Sequence, residues 1–71
     1  MSNLETIRKS RNLTQKELAL LSGVRLITIH KLESGLLDIN KSKLTTLIKL
    51  AKALKCKVVD LVSKDLIRYI R

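Results

Sequence analysis

The chain of 71 residues contains no proline and only two glycines, Gly23 and Gly35. β-Sheets need frequent turns, and such turns are rich in Gly, Pro, Asn and Asp, so a chain poor in Gly and Pro favours helices. The hydrophobic share of 45% is enough for a folded core, and that core must be aliphatic because Tyr69 is the only aromatic residue. We therefore predict an all-α fold, a compact single domain over residues 1–71.

Apolar spacing and capping residues predict five helices. Thr14 and Glu17 have the spacing of a capping box, so the second helix spans about residues 14–22 and ends at Gly23. The fifth helix, an extension at the end of the chain, spans about residues 58–70. The fourth helix is marked by an inward apolar stripe that consists of Leu44, Leu47, Ala51 and Leu54.

The third helix, predicted over about residues 25–34, has an ambiguous periodicity. Ile27 and Ile29 alternate as they would in a strand. A helix is favoured because Gly35 provides an end and because apolar residues recur on one helical face. That face carries Ile29, Leu32 and Leu36. On such a helix Ile27 lies opposite the apolar face and points away from the core.

The chain is strongly basic. Fifteen Lys and Arg residues oppose six Asp and Glu residues, which gives a formal charge of +9 and a pI near 10.2. This charge suggests a polyanionic partner, with nucleic acid as the first choice and an anionic membrane surface as the second. General solubility is the alternative explanation.

Cys56 is the only cysteine, so no disulfide can form within the chain. The sequence shows no signal peptide and no apolar run long enough for a membrane helix. We therefore expect a cytoplasmic protein that has no membrane partner. No cluster of Cys, His or carboxylate residues accompanies His30, and no nucleophile is paired with a base, so we expect no metal, no cofactor and no enzymatic activity.

Two helices of about eight residues joined by a short turn that contains glycine describe a helix-turn-helix module. The chain resembles the Cro and phage-repressor type of helix-turn-helix, also called Xre-like, in the segments "IRKSRNLTQKELALLSGV", "TIHKLESG" and "LTTLIKLAKALKCKVVDLV". The resemblance covers nearly the whole chain and implies a five-helix, lambda-repressor-like fold. It also implies an ion pair between Arg8 and Glu33. Lys55 departs from the pattern, because the family commonly has glycine there.

The resemblance implies that the N-terminal part of the third helix contacts base edges in the major groove. The predicted base contacts are Leu26, Ile27, His30 and Lys31. An apolar side chain at this place can pack on a thymine methyl group, and Lys31 can donate to guanine O6 and N7. Two alternatives stay open: Ile27 is an ordinary exposed apolar residue, and His30 lies at the rim without reading a base.

The predicted phosphate contacts flank this helix. The N-terminus of the second helix has unpaired N–H groups and a positive dipole end, so Thr14 and Gln15 suit a phosphate. Arg25 replaces the Ser or Thr that usually caps the recognition helix in the family, and we predict that it contacts a phosphate instead. The remaining candidates are Ser34, Lys41 and Lys43. Each lysine could equally be a solvated surface charge.

The resemblance implies a transcription regulator that binds double-stranded DNA in a sequence-specific manner. We expect a repressor that binds a near-palindromic operator as a homodimer, with recognition helices about 34–36 Å apart. An alternative is an antitoxin that binds both its operator and a toxin protein. A third possibility is binding of nucleic acid or anionic membrane through charge alone, with affinity that collapses in salt.

Several apolar residues exceed what the core needs, which is typical of a protein interface. These are Leu20, Leu36, Leu37, Ile39, Leu66, Tyr69 and Ile70. The extension at residues 58–70 is the first choice for the dimer interface, and the "GLLDI" loop is the second. Alternatively, the extension folds back over the first helix in a monomer.

Ile27→Ala is expected to weaken binding to a specific DNA site by about 1 kcal/mol, the scale of a single mismatched base pair. Thermal stability should barely change, because the side chain lies outside the predicted core. A binding titration against the preferred duplex measures the loss of DNA affinity. A thermal melt of the same variant measures its stability. A lower melting temperature with unaltered DNA affinity would show that Ile27 acts in the fold instead.

Overall fold

The computed structural model describes residues 3–62, and every regular element in that part of the chain is helical. The all-α class is therefore confirmed there. The four α-helices are α1 (Asn3–Ser10), α2 (Gln15–Ser22), α3 (Leu26–Ser34) and α4 (Leu44–Leu54). Two short 3₁₀ helices follow α3 and α4, at Ile39–Lys41 and Val58–Asp60. None of these helices is both long and apolar enough to cross a membrane.

The count of five helices is not confirmed, because the described residues hold four α-helices. Most of the fifth helix, predicted over about residues 58–70, lies outside the described residues. The surplus apolar residues that also lie outside them are Leu66, Tyr69 and Ile70. Where the fifth helix should begin, Val58–Asp60 forms a 3₁₀ helix, and the Leu61 N–H donates to the Val58 carbonyl at 3.0 Å.

Both ends of α2 form as the sequence predicts. Thr14 Oγ1 accepts the Glu17 N–H at 3.0 Å, and the Glu17 carboxylate accepts the Thr14 N–H at 2.9 Å, which completes the capping box. At the other end Gly23 adopts a φ of 74°, the left-handed region that glycine enters without strain, and its N–H donates to the Ala19 carbonyl. These caps determine which side chains occupy the first turn of α2.

The third segment is an α-helix that ends at Gly35, and its apolar face is buried through Ile29 and Leu32. The prediction that Leu36 continues this face is wrong. Gly35, at a φ of 87°, turns the chain out of the helix and leaves Leu36 74% exposed. Burial of Ile29 and Leu32 sets the rotation of α3 about its axis, and so determines which of its side chains face outward.

The core is aliphatic, and all four α-helices contribute to it. Its largest fully buried side chains are Leu4, Leu18, Ile29, Leu50, Leu54 and Leu61. The predicted stripe of α4 is wrong at Leu44, which is 64% exposed, while Leu50 is buried instead. At about 100° per residue, the buried face of α4 is centred near Leu47 and Leu54, and Leu44 falls at its edge.

The last turn of α4 ends at a residue with a strained backbone. Lys55 adopts a φ of 55° and a ψ of 46°, the left-handed region that costs a residue with a Cβ about 1–2 kcal/mol. The Lys55 N–H donates to the Lys52 carbonyl at 3.2 Å, and the Cys56 N–H donates to the Ala51 carbonyl at 3.0 Å. The helix therefore ends as it would at a glycine, although lysine occupies the position.

Lys55→Gly is expected to raise the free energy of unfolding by about 0.5–1 kcal/mol, because relief of the left-handed strain exceeds the entropy that glycine adds to the unfolded chain. The melting temperature should rise by about 2–8 °C. Lys52→Gly, inside α4, is the matched control and should lower stability by about 1 kcal/mol. Thermal melts of both variants compare their stabilities with that of the unaltered protein. Similar decreases in melting temperature in the two variants would show that Lys55 is not strained.

Candidate nucleic-acid interface

Two helices are joined at the carboxylate of Glu33, in the last turn of α3. Arg8 of α1 donates to it from Nε to Oε2 at 2.7 Å and from Nη2 to Oε1 at 3.0 Å. The side chains of Arg8 and Glu33 are only 9% and 4% exposed. The hydrogen bond to Glu33 raises the pKa of the Arg8 guanidinium, although burial opposes the shift. The ion pair implied by the family resemblance is therefore present.

Gln15, the first residue of α2, is held by the same carboxylate. Its Nε2 donates to Glu33 Oε1 at 3.0 Å, and the residue is half-buried. The amide nitrogen carries two N–H groups, so one is bound by Glu33 and the second can donate to a phosphate oxygen. The sequence did not reveal this contact, because it depends on how α2 packs against α3.

The N-terminus of α2 is partly satisfied by its own cap. The capping box engages the N–H groups of Thr14 and Glu17, and Thr14 Oγ1 accepts one hydrogen bond there. The Thr14 N–H is therefore not free to bind a phosphate. The predicted phosphate contact of Thr14 would use its hydroxyl group as the hydrogen-bond donor. The helix dipole favours an anion at this end, but the Glu17 carboxylate at the same end opposes it.

The outer face of α3 presents the predicted base contacts. Leu26 and Ile27 are 44% and 54% exposed, and His30 and Lys31 are exposed as well. Leu26, Ile27 and His30 line an open, mostly apolar cavity of about 410 Å³ together with Gln15 of α2. Lys31 is outside this lining. The structure thus brings three predicted base contacts and one predicted phosphate contact to a common surface.

The other predicted phosphate contacts lie at the two ends of α3 and in the segment between α3 and α4. Arg25 is the exposed N-cap residue of α3, and its side chain makes no capping hydrogen bond. Ser34 Oγ donates to the Lys31 carbonyl at 3.2 Å, so a phosphate would have to compete for its proton. Lys41 and Lys43 are exposed between α3 and α4. The cavity lining includes none of these side chains.

The helices α2 and α3 are joined by a short turn at Gly23, which is the form of a helix-turn-helix module. Over residues 4–61 the chain matches the helix-turn-helix family, of the Cro and phage-repressor type that is also called Xre-like. The chain belongs to this family. Membership makes it a DNA-binding transcriptional regulator. No significant match was found among curated proteins or among solved structures.

The helix-turn-helix module gives α3 a direction relative to DNA. In such modules the second helix enters the major groove with its N-terminal residues against base edges. Leu26 and Ile27 lie in the first turn of α3, whereas Glu33 lies in its last turn. The buried ion pair therefore anchors the end of α3 opposite to the end that is predicted to contact bases.

A second cavity, of about 440 Å³, lies between α1 and the second 3₁₀ helix, and none of the predicted DNA contacts lines it. Cys56 is one of its lining residues. Burial raises the pKa of the Cys56 thiol, and the nearby Asp60 carboxylate raises it further. The protonated thiol is a poor nucleophile and a poor metal ligand. Cys56 is therefore not suited to nucleophilic or metal chemistry in this cavity.

Glu33→Ala is expected to lower the free energy of unfolding by about 3 kcal/mol, because the Arg8 guanidinium loses the carboxylate to which it is hydrogen-bonded within the fold. Lys9→Ala is the matched control, since the Lys9 side chain is 57% exposed and its ammonium meets the Glu5 carboxylate at 3.5 Å. An ion pair with an exposed lysine contributes at most about 1 kcal/mol. Chemical denaturation of both variants provides the comparison. Equal losses would show that the Glu33 contacts do not hold the fold together.

Proposed function

We propose that the protein is a repressor that recognises a near-palindromic operator in double-stranded DNA as a homodimer. The observation that carries this proposal is the outer face of α3, where apolar Leu26 and Ile27 are exposed beside His30 and Lys31. Exposure of these apolar side chains to water is unfavourable. A major groove offers them thymine methyl groups, and it offers hydrogen-bonding base edges to the polar residues beside them. This function requires no catalytic group, metal or cofactor.

The contacts divide by their role in recognition. Phosphates would be bound by Gln15, Arg25, Lys41 and Lys43. Such contacts fix the position of the protein on the duplex and carry no sequence information. The first two turns of α3 would read bases. Lys31 is suited to guanine, because its ammonium group can donate to O6 and N7. Sequence preference therefore depends on a small part of a surface that is otherwise attracted to any DNA.

The net charge of +9 supports this division. Each phosphate neutralised by a Lys or Arg side chain releases condensed counterions, so affinity falls steeply as salt rises. Arg25, Lys31, Lys41 and Lys43 are all exposed and close in sequence to α3. Electrostatic attraction of this kind brings the protein to DNA, and the base contacts then select a site.

The proposed homodimer requires an apolar surface away from the bases. Leu36 and Leu37, in the "GLLDI" loop, are exposed, whereas Ile39 at the end of that loop packs partly against the core. Exposed apolar clusters of this kind are typical of protein interfaces. The loop is therefore one part of the described chain that suits contact with a second copy. The extension at residues 58–70, which the sequence favours as the interface, lies mostly outside the described residues.

The antitoxin alternative is favoured by a different apolar surface. Leu20 is 80% exposed and Leu21 is also exposed, although both belong to α2 and neither lines the cavity beside α3. DNA binding by α3 does not account for them. A toxin protein that covered this part of α2 would account for them and would co-purify with the chain as a tight complex.

Selection of duplexes from a random pool by the purified protein at about 150 mM salt, followed by sequencing, is expected to yield a two-fold symmetric motif. The half-sites should be about one helical turn apart, because each recognition helix of the dimer reads one of them. Lys31→Ala should relax the motif at one position of each half-site. Lys49→Ala is the control, since Lys49 is an exposed residue of α4, and it should leave the motif unchanged.

Other outcomes of the same selection would contradict the proposal. No enriched motif, with binding that collapses as salt rises, would indicate a non-specific binder. No enriched motif together with a co-purifying protein would favour the antitoxin function. A motif without two-fold symmetry would exclude the proposed homodimer on its operator.

A further inference from the structure

We propose that Leu26, Ile27 and His30 form a site that reads thymine through its C5-methyl group, beside the phosphate bound by Gln15. The inference rests on the proposed function, since it concerns the base that this same surface selects. It adds a chemical identity for at least one base in each half-site.

The lining of the cavity suits an apolar group. Leu26 and Ile27 occupy adjacent positions in the first turn of α3, and they line the cavity of about 410 Å³ together with Gln15, the first residue of α2. Its walls are mostly apolar, so a charged or strongly hydrated group would lose water on entry without gaining a partner. Among base edges in the major groove, the thymine methyl is the apolar group.

Polar groups accompany the apolar wall of the cavity. In a T·A pair the C5-methyl is the group in the major groove that lies closest to the thymine strand's own backbone. A site for this methyl should therefore combine apolar contacts with donors to an adjacent phosphate. Gln15 offers the second N–H of its amide, and the exposed Arg25 lies directly before Leu26. Donors for a phosphate and apolar side chains for a methyl group therefore lie close together on this surface.

Thymine differs from cytosine at two groups in the major groove. Cytosine presents an amino donor in place of O4 and has no methyl group. His30 is exposed at the same cavity, and an imidazole ring can donate to thymine O4 or accept from the cytosine amino group. The apolar wall of Leu26 and Ile27 is therefore what selects thymine, through its methyl group.

The test removes the thymine methyl group in the duplex selected above. Uracil keeps O4 and lacks the methyl, so uracil at one thymine of a single half-site should weaken binding about fourfold, the effect of exposing one methyl group. At the same position, 5-methylcytosine restores the methyl to cytosine and should bind about fourfold more tightly than cytosine. Affinity that changes less than twofold with uracil at every thymine would overturn the inference.

Protein variants connect this effect to the cavity. Leu26→Ala and Ile27→Ala should each reduce the difference in affinity between thymine and uracil duplexes, because each removes part of the surface that contacts the methyl. Leu20→Ala is the matched control, an exposed leucine of α2 outside the cavity, and it should keep the full sensitivity to uracil. Full sensitivity in the two α3 variants would also overturn the inference.

The two proposals fail in different ways. A selection with no enriched motif would overturn the proposed function and this inference with it. An enriched two-fold motif whose affinity is indifferent to uracil would leave the operator-binding function standing and remove the thymine site alone.

Discussion

The recognition helix is held in place by a buried ion pair between Arg8 and Glu33. An isolated helix as short as the nine residues of α3 is not stable in water, so its position depends on tertiary contacts. Ile29 and Leu32 supply apolar burial, which is strong but not directional. The two hydrogen bonds between Arg8 and Glu33 are directional, and they fix α3 relative to α1. The direction in which Ile27 points depends on both kinds of contact.

The carboxylates of the described residues are used locally, and this explains how a strongly basic surface coexists with an ordered fold. Each one caps a helix or turn, or pairs with a cation nearby: Glu5, Glu17, Glu33, Asp38 and Asp60. Negative charge is therefore engaged close to the backbone or within the core. The exposed lysines and arginines then dominate the long-range field that a nucleic acid would meet.

Local chemistry made the functional helices predictable from the sequence. The capping box at Thr14 and the left-handed glycines at Gly23 and Gly35 depend on a few neighbouring residues, so α2 and the end of α3 could be located in advance. The outward face of α3 followed from the burial expected of Ile29 and Leu32. The helix-turn-helix family could be recognised from the sequence for the same reason. Its sequence pattern consists largely of these capping and turn residues in a fixed order.

The errors arose where packing or a turn overrides periodicity. Leu36 has the right spacing to extend the buried face of α3, but the chain leaves the helix before reaching it. Leu44 lies at the edge of the face of α4 that the core covers. The bond from Gln15 to Glu33 has no local signal, because it requires α2 and α3 to be docked. The predicted contacts with bases and phosphates stay predictions.

The hydrogen bond from Gln15 to Glu33 has a consequence for the thermodynamics of DNA binding. Fixing a free glutamine side chain costs about 1.5–2 kcal/mol of rotamer entropy. Folding already restricts this side chain through the same carboxylate that anchors α3. A phosphate that meets Gln15 therefore encounters a pre-organised donor, and little of the binding free energy is lost in ordering it. The affinity for a DNA phosphate at Gln15 thus depends partly on how the protein core is packed.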